Sequence, residues 1–254
     1  MRQIIQNLKN GDIHLFDVPA PMPGRHEVLI QTSTTLISAG TERMLLEFGN
    51  ANYLDKARQQ PEKVKQVLEK VKTDGLWPTV EAVKSKLDAP MPLGYCNVGR
   101  VIAVGPSATC FKVGDRVLSN GPHSEIVSVS ENLCAAIPEG VRDEEAVFGV
   151  IGAIALQGLR LARPEIGESV VVTGLGLVGL LVAQLLKAQG CRVLGIDYSE
   201  ERLALAASYG IETCNPGAGQ GAVDRALEFS GGQGVDAVLV AASTDSSEPI
   251  IEGA

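Results

Sequence analysis

The residues with the clearest chemistry in their spacing are Gly174-Leu175-Gly176-Leu177-Val178-Gly179, which follow a β-branched run at 170–173 and open a helix-patterned segment at 177–189. A Gly-x-Gly-x-x-Gly run in that setting is suited to a dinucleotide. Gly174 allows a tight turn, Gly176 lets a pyrophosphate approach the backbone, and Gly179 lets helix and strand pack closely. The helix start at Leu177 and Val178 then presents free N–H groups and a partial positive charge to phosphate. Asp197, with Tyr198 beside it, stands at the end of the next apolar segment. An acid there accepts hydrogen bonds from a ribose 2′-hydroxyl and repels a 2′-phosphate, so NAD is expected in preference to NADP. Two plainer readings remain open: glycine-rich turns also arise for packing alone, and Asp197-Tyr198-Ser199 also reads as a turn with a cap.

These residues sit in a chain of 254 residues, 45% hydrophobic and 20% charged, enough for one large core or two modest ones. A globally disordered chain is excluded. The formal net charge of -8 has the wrong sign for wrapping nucleic acid or lying on an anionic membrane, which leaves a small molecule as the expected partner. The 28 glycines and 4% aromatic content fit an α/β protein rich in tight turns. Cys96, Cys110, Cys134, Cys191 and Cys214 contain no C-x-x-C pair, which argues against a disulfide framework and a closed structural zinc site. The N-terminal residues turn polar too early for a signal peptide, so a reducing, cytoplasmic setting is expected. The uncharged run at 169–186 holds all three loop glycines and fits the nucleotide turn better than a membrane span.

Strand-like segments at 12–17, 27–38, 98–104, 116–119, 124–129 and 133–137 predict a mainly antiparallel β domain. Helical spacing after Pro61 (Val64, Val67, Leu68, Val71) and after Pro78 (Val80, Val83, Leu87) predicts a two-helix insertion within 51–88. The basic residues between Lys56 and Lys72 read as a solvated helix face, with an anion contact as the alternative. Beyond Pro138 the apolar period becomes helical, and Asp143 is expected to cap a helix running through Leu159. Strands at 170–173, 192–196, 211–214 and 237–241 then alternate with helices at 177–189, stopped by Gly190, and 200–208, capped by Ser199. The pattern therefore predicts a β domain at 1–140 and a nucleotide-binding domain at 141–254. Four strands are fewer than a doubly wound sheet usually has, so that second domain is expected to be truncated, with an exposed edge and poor solubility.

Taken in order, Pro-Gly-Arg-His-Glu-Val-Leu-Ile (23–30), Leu-Gly-Tyr-Cys-Asn-Val-Gly-Arg-Val (93–101), Val-Gly-Asp-Arg-Val (113–117), Ile-Pro-Glu-Gly (137–140) and the glycine run resemble the medium-chain dehydrogenase/reductase superfamily. The resemblance implies an α/β chain: a GroES-like, mainly antiparallel β domain with a helical insertion, then an incomplete Rossmann doubly wound parallel sheet. It also implies an NAD(P)-dependent oxidoreductase acting on an alcohol or carbonyl compound. Zinc-dependent members use a Cys in a Cys-Gly-Thr/Ser-Asp segment, a His-Glu pair after Gly, and a Cys or Glu near the start of the helix leading to the second domain. The matching residues here are Ala39-Gly40-Thr41-Glu42, Gly94-Tyr95-Cys96 and Val150. The departure implies a zinc-independent enzyme with no metal site. Such an enzyme must polarise its substrate with hydrogen-bond donors, each worth roughly 3 kcal/mol when well aimed. Thr41 takes the place of the family's proton-relay hydroxyl, and Tyr95 puts a phenol where the metal-binding His would stand. These two are the expected donors, with Glu42 and Cys96 beside them; ordinary core filling by Tyr95 and Cys96 is the alternative.

The segment Leu36-Ile37-Ser38-Ala39-Gly40-Thr41-Glu42, the helical insertion and Pro92-Leu93-Gly94-Tyr95 together resemble a narrower group of bacteriochlorophyllide-dehydrogenase-like and bacterial bidomain oxidoreductases. That group implies a sugar or nucleotide-sugar substrate, and a missing C-terminal region or fused second domain. Expected partners are thus a small alcohol or carbonyl compound, further copies of the chain in a homo-oligomer, and that missing region, with no nucleic acid and no membrane. A cofactor-binding or docking module without chemistry of its own is the competing function. His14, inside a strand, and His26, at a strand entrance, read as surface residues, and His123 reads as a solvent-exposed loop residue, with an approach to the cleft as the alternative.

Overall fold

The computed structural model describes residues 1–7, 10–51, 58, 61–75, 77–79, 81, 83, 85, 89–219, 221–244, 246–251 and 253. The chain forms two compact units, Met1–Phe148 and Gly149–Ala254. The first carries β1 (Arg2–Asn7), β2 (Ile13–Asp17), β3 (Glu27–Thr35), β4 (Pro90–Pro92), β5 (Asn97–Val104), β6 (Arg116–Ser119), β7 (Ile126–Ser130) and β8 (Cys134–Ala136). Five of these make an antiparallel sheet in the order β7-β3-β5-β6-β8, and β2-β1-β4 make a smaller one. Alternation selects the core of the larger sheet: Val28 and Ile30 from β3 meet Val101, Val117, Val127 and Val129, all buried.

The strand expected to reach Ser38 ends at Thr35, and helix α1 (Ala39–Asn50) follows, so Thr41 and Glu42 lie on its first turn. The pattern hides this helix because Gly40 and Gly49 interrupt it. Gly49 is nevertheless required, since a Cβ there would stand 2.4 Å from the Gln6 amide nitrogen of β1. Helix α2 (Pro61–Asp74) forms as expected, with Val64, Val67 and Val71 half-buried and Lys63, Lys65 and Lys72 exposed. Residues 77–79, 81, 83 and 85 are also helical. Lys56, Val80 and Leu87 of the expected insertion lie outside the described residues.

Asp143 does not cap a long helix. It is the first residue of the short α3 (Asp143–Ala146), whose N-cap is Arg142. Its carboxylate instead accepts from Ser33 Oγ at 2.6 Å and from the Arg116 guanidinium. Those bonds tie α3 to β3 and β6, and the helical run breaks at Val147–Phe148 before α4 (Gly149–Ala162).

The second unit continues with β9 (Ser169–Thr173), α5 (Leu177–Gln189), β10 (Arg192–Ile196), α6 (Glu200–Ser208), β11 (Glu212–Cys214), α7 (Ala222–Phe229), β12 (Ala237–Val240) and α8 (Glu248–Ile251). Its four strands are parallel in the order β11-β10-β9-β12. Both faces are covered, which is why β9 reads as Val-Val-Val without alternation. Val170 and Val172 pack with Ala155, Leu159, Val182, Ala183 and Leu186, while Val171, Leu194 and Ile196 pack with Ala222 and Phe229. Helix α5 stops at Gly190, whose φ of 97° is a left-handed cap. Among the described residues no helix is long and apolar enough to cross a membrane.

Candidate functional site

The three loop glycines of the second unit are small for different reasons. Gly174 has φ +91°, and a Cβ there would meet the Ala242 backbone at 2.5 Å. A Cβ on Gly179 would lie 1.8 Å from the Gly174 carbonyl oxygen, so close packing of α5 on the turn demands glycine. At Gly176 an added Cβ meets nothing within 4 Å. The protein itself does not need a glycine at 176. That residue is the N-cap of α5 and supplies no side-chain cap, so the first-turn N–H groups, Leu177 and Val178 included, have no partner within the helix. A backbone donor set facing open space fits the pyrophosphate of a dinucleotide.

Asp197 follows β10 and is 8% exposed. Its Oδ2 accepts the Leu175 N–H at 2.7 Å and the Arg202 guanidinium at 3.3 Å, and its Oδ1 accepts the Ser199 N–H at 2.9 Å. Burial, the largest single influence, pushes this carboxyl up, but the Ser199 and Leu175 N–H groups and Arg202 together hold it below the usual aspartate value. Asp197 therefore stays ionised and braces the glycine turn from the neighbouring strand. Three donors leave one of its roughly four lone-pair positions, on Oδ1, free for a ligand hydroxyl. Tyr198 is largely exposed.

In the first unit, the link from β3 to α1 and the link from β4 to β5 bring Ser38, Thr41 and Tyr95 together. The Tyr95 hydroxyl donates to Ser38 Oγ at 2.7 Å, Ser38 Oγ lies 3.5 Å from Thr41 Oγ1, and Thr41 Oγ1 lies 3.3 Å from Tyr95 Oη. Thr41 and Tyr95 are thus neighbours. Ser38, absent from the sequence-based candidates, completes the cluster. As the N-cap of α1 its hydroxyl is suited to bonding the helix N–H groups, yet it makes no cap bond. The Glu42 carboxylate reaches back instead, its Oε1 accepting the Ser38 N–H at 2.8 Å.

The other Glu42 oxygen, Oε2, pairs with His123 Nε2 at 3.1 Å, with both side chains buried. His123 is therefore not a solvent-exposed loop residue. Its N–H donates to the Leu93 carbonyl at 2.7 Å and its carbonyl accepts from Ile4 N at 3.0 Å, which draws the loop inward. Gly94, with φ +88°, makes room: a Cβ there would stand 2.6 Å from the imidazole. No local pattern links positions 42 and 123, so only the fold reveals the pair. His14 is exposed, and His26 is exposed with its ring 3.8 Å from Glu131. Cys96 is fully buried, and burial first, then the nearby Glu42 charge, raise its thiol to about 11. It stays protonated at neutral pH.

A catalytic zinc takes about three protein ligands, and the residues at the matched positions do not supply that set. At the positions that match the zinc-dependent pattern, Ala39, Tyr95 and Val150 supply no thiolate, imidazole or carboxylate, which leaves Cys96. Among the described residues no three His, Cys, Asp or Glu side chains converge as a metal-holding group.

Comparison with known proteins agrees with this architecture. Residues 64–179 match the alcohol dehydrogenase GroES-like domain, and residues 178–251 match the family described as zinc-binding dehydrogenase. The D-guloside 3-dehydrogenase of Escherichia coli K12 is 32% identical over 151 residues, 58% of this chain and 43% of that protein. A mycocerosic acid synthase-like polyketide synthase of Mycolicibacterium smegmatis is 33% identical over 248 residues, 94% of this chain but 10% of that protein. The matched region thus spans less than half the length of either relative. An alcohol dehydrogenase from Thermus sp. ATN1 superposes over 100% of this chain and 74% of its own, with a TM-score of 0.76 at 21% identity, a likeness of fold.

Proposed function

Because the chain belongs to the medium-chain dehydrogenase/reductase superfamily, we propose that it transfers a hydride between the nicotinamide of NAD and the carbon of an alcohol or carbonyl group, without zinc. The observation that carries this reading is the glycine turn, where Gly176 leaves space that the protein itself does not use. NAD(H), when bound, supplies the hydride acceptor or donor. The N–H groups of the first turn of α5 hold its pyrophosphate, and the free lone pair of Asp197 receives a ribose hydroxyl and disfavours a 2′-phosphate. The hydroxyl cluster of Thr41 and Tyr95 holds the substrate oxygen by hydrogen bonding, the task that a metal performs in zinc-dependent relatives. Cys96, next to Tyr95 in the chain, is buried and neutral. The relative named a D-guloside 3-dehydrogenase supports a sugar hydroxyl as the substrate group, and the cysteine pattern supports a reducing, cytoplasmic setting.

Titration calorimetry with NAD and NADP, then metal analysis of the same sample and a 340 nm assay against a polyol panel, tests the proposal. The expected result is tighter binding of NAD, no stoichiometric zinc, and NADH formation with a neutral polyol. Absence of NAD binding by folded protein, or activity that tracks added zinc, would overturn it.

A further inference from the structure

We infer that Ser38 is a positioning residue that sets the direction of a three-hydroxyl ring and so makes the Thr41 proton the one offered to a ligand oxygen. A hydroxyl has one proton to donate. The short 2.7 Å contact commits the Tyr95 proton to Ser38. Ser38 then has only Thr41 Oγ1 to donate to within the ring, at 3.5 Å, and Thr41 closes it by donating to Tyr95 Oη at 3.3 Å. The two long edges both involve Thr41, which is exposed, whereas the short edge involves the buried Ser38.

Ser38 is held for this task from behind. Its N–H is bound by Glu42, itself fixed by His123, and its hydroxyl is withheld from capping α1. A ligand oxygen entering the ring displaces Tyr95 as the acceptor of the weakly held Thr41 proton, while Tyr95 keeps donating to Ser38. The cluster thus presents a single neutral donor. That matches a carbonyl or hydroxyl oxygen, and the buried carboxylate of Glu42 next to the ring disfavours an anionic group there. This inference rests on the alcohol–carbonyl reading for its ligand, but the ring direction itself does not.

The test reads the Tyr95 hydroxyl by ultraviolet resonance Raman, whose tyrosine doublet distinguishes strong from weak donation. The Tyr95→Phe spectrum is subtracted to remove the other tyrosines, and thermal melts confirm that each variant is folded. Ser38→Ala keeps the backbone N–H that Glu42 binds and is expected to shift the Tyr95 signal to weaker donation, while Ser38→Thr restores it. Thr41→Val is expected to leave donation intact. The reverse result, donation lost in Thr41→Val and kept in Ser38→Ala, or equal effects of both, would overturn the inference. Acetone serves as the carbonyl probe and should remove only the acceptor component of the Tyr95 signal. If the variants behave as expected and acetone changes nothing, the ring direction stands and the carbonyl reading of the site fails.

Discussion

The glycine turn of the second unit and the hydroxyl ring of the first are built from different materials. The turn uses backbone: Gly174, Gly176 and Gly179 lie within six consecutive residues, and their donors are peptide N–H groups fixed by one strand and one helix. The ring uses side chains: Thr41 and Tyr95 are 54 residues apart, and the Glu42–His123 pair behind them spans 81. A backbone site marks the sequence because glycine alone fits where a Cβ would collide or a ligand must approach. A side-chain site made of Ser, Thr and Tyr leaves no such mark, since these residues are common and their meeting depends on long-range topology.

The strongest way to break this contrast is to show that the turn is only packing. Gly176→Asp should weaken NAD binding by at least about a hundredfold, because a carboxylate placed against a pyrophosphate costs several kcal/mol. The melting temperature should stay close to that of the parent, since nothing stands within 4 Å of the added Cβ. Gly179→Ala should do the opposite and destabilise the fold by roughly 2–3 kcal/mol, its Cβ lying 1.8 Å from a carbonyl oxygen. Calorimetry and melts on both variants decide the matter: if Gly176→Asp melts early and Gly179→Ala does not, binding and packing have been assigned to the wrong glycines.

On the ring side, His123→Ala removes one member of a buried pair and leaves the Glu42 carboxylate with the Ser38 N–H as its remaining hydrogen-bond donor. Loss of about 3 kcal/mol is expected from the uncompensated carboxylate and the cavity together, read as a lower urea midpoint. NAD affinity should be unchanged. A variant as stable as the parent would show that the pair does not fix the start of α1.

How far each region was legible follows from the same distinction. The strands and helices around the glycine turn stand where periodicity puts them: β10 spans 192–196, α5 spans 177–189, and α6 spans 200–208. Their hydrophobic runs are local and their stops are glycines. Helix α7 escaped although Ala222, Ala226 and Phe229 recur at helical spacing, because glycines flank it closely on both sides. In the first unit, β1 is obscured by Gln6, polar yet fully buried, and α1 by its two glycines. Thr41 and Tyr95 were reached through family resemblance rather than through spacing. Ser38 and His123 needed the fold, since a buried hydroxyl and a buried imidazole are recognised by what surrounds them.

The smallest expected effect lies at Asp197, where the backbone site depends on a side chain. In the folded chain its carboxyl is held below the ordinary 3.8, and the unfolded chain returns it to that value. The unfolded state therefore binds the proton more readily. The stabilisation is fully present above about pH 3.8 and is lost as pH falls through the lower folded value. Asp197→Asn should cost roughly 1–2 kcal/mol at neutral pH, the worth of hydrogen bonds to a charged acceptor, and should flatten the fall in stability at acid pH. The same change removes the charge that opposes a 2′-phosphate while Arg202 remains beside the site. The ratio of NADP to NAD affinity should then rise by about tenfold, equivalent to about 1.4 kcal/mol. A flatter acid limb with no change in that ratio would leave Asp197 as a brace of the turn and remove it from the ribose site. A changed ratio with an unchanged acid limb would do the converse, so two titrations on one variant separate the residue's two roles.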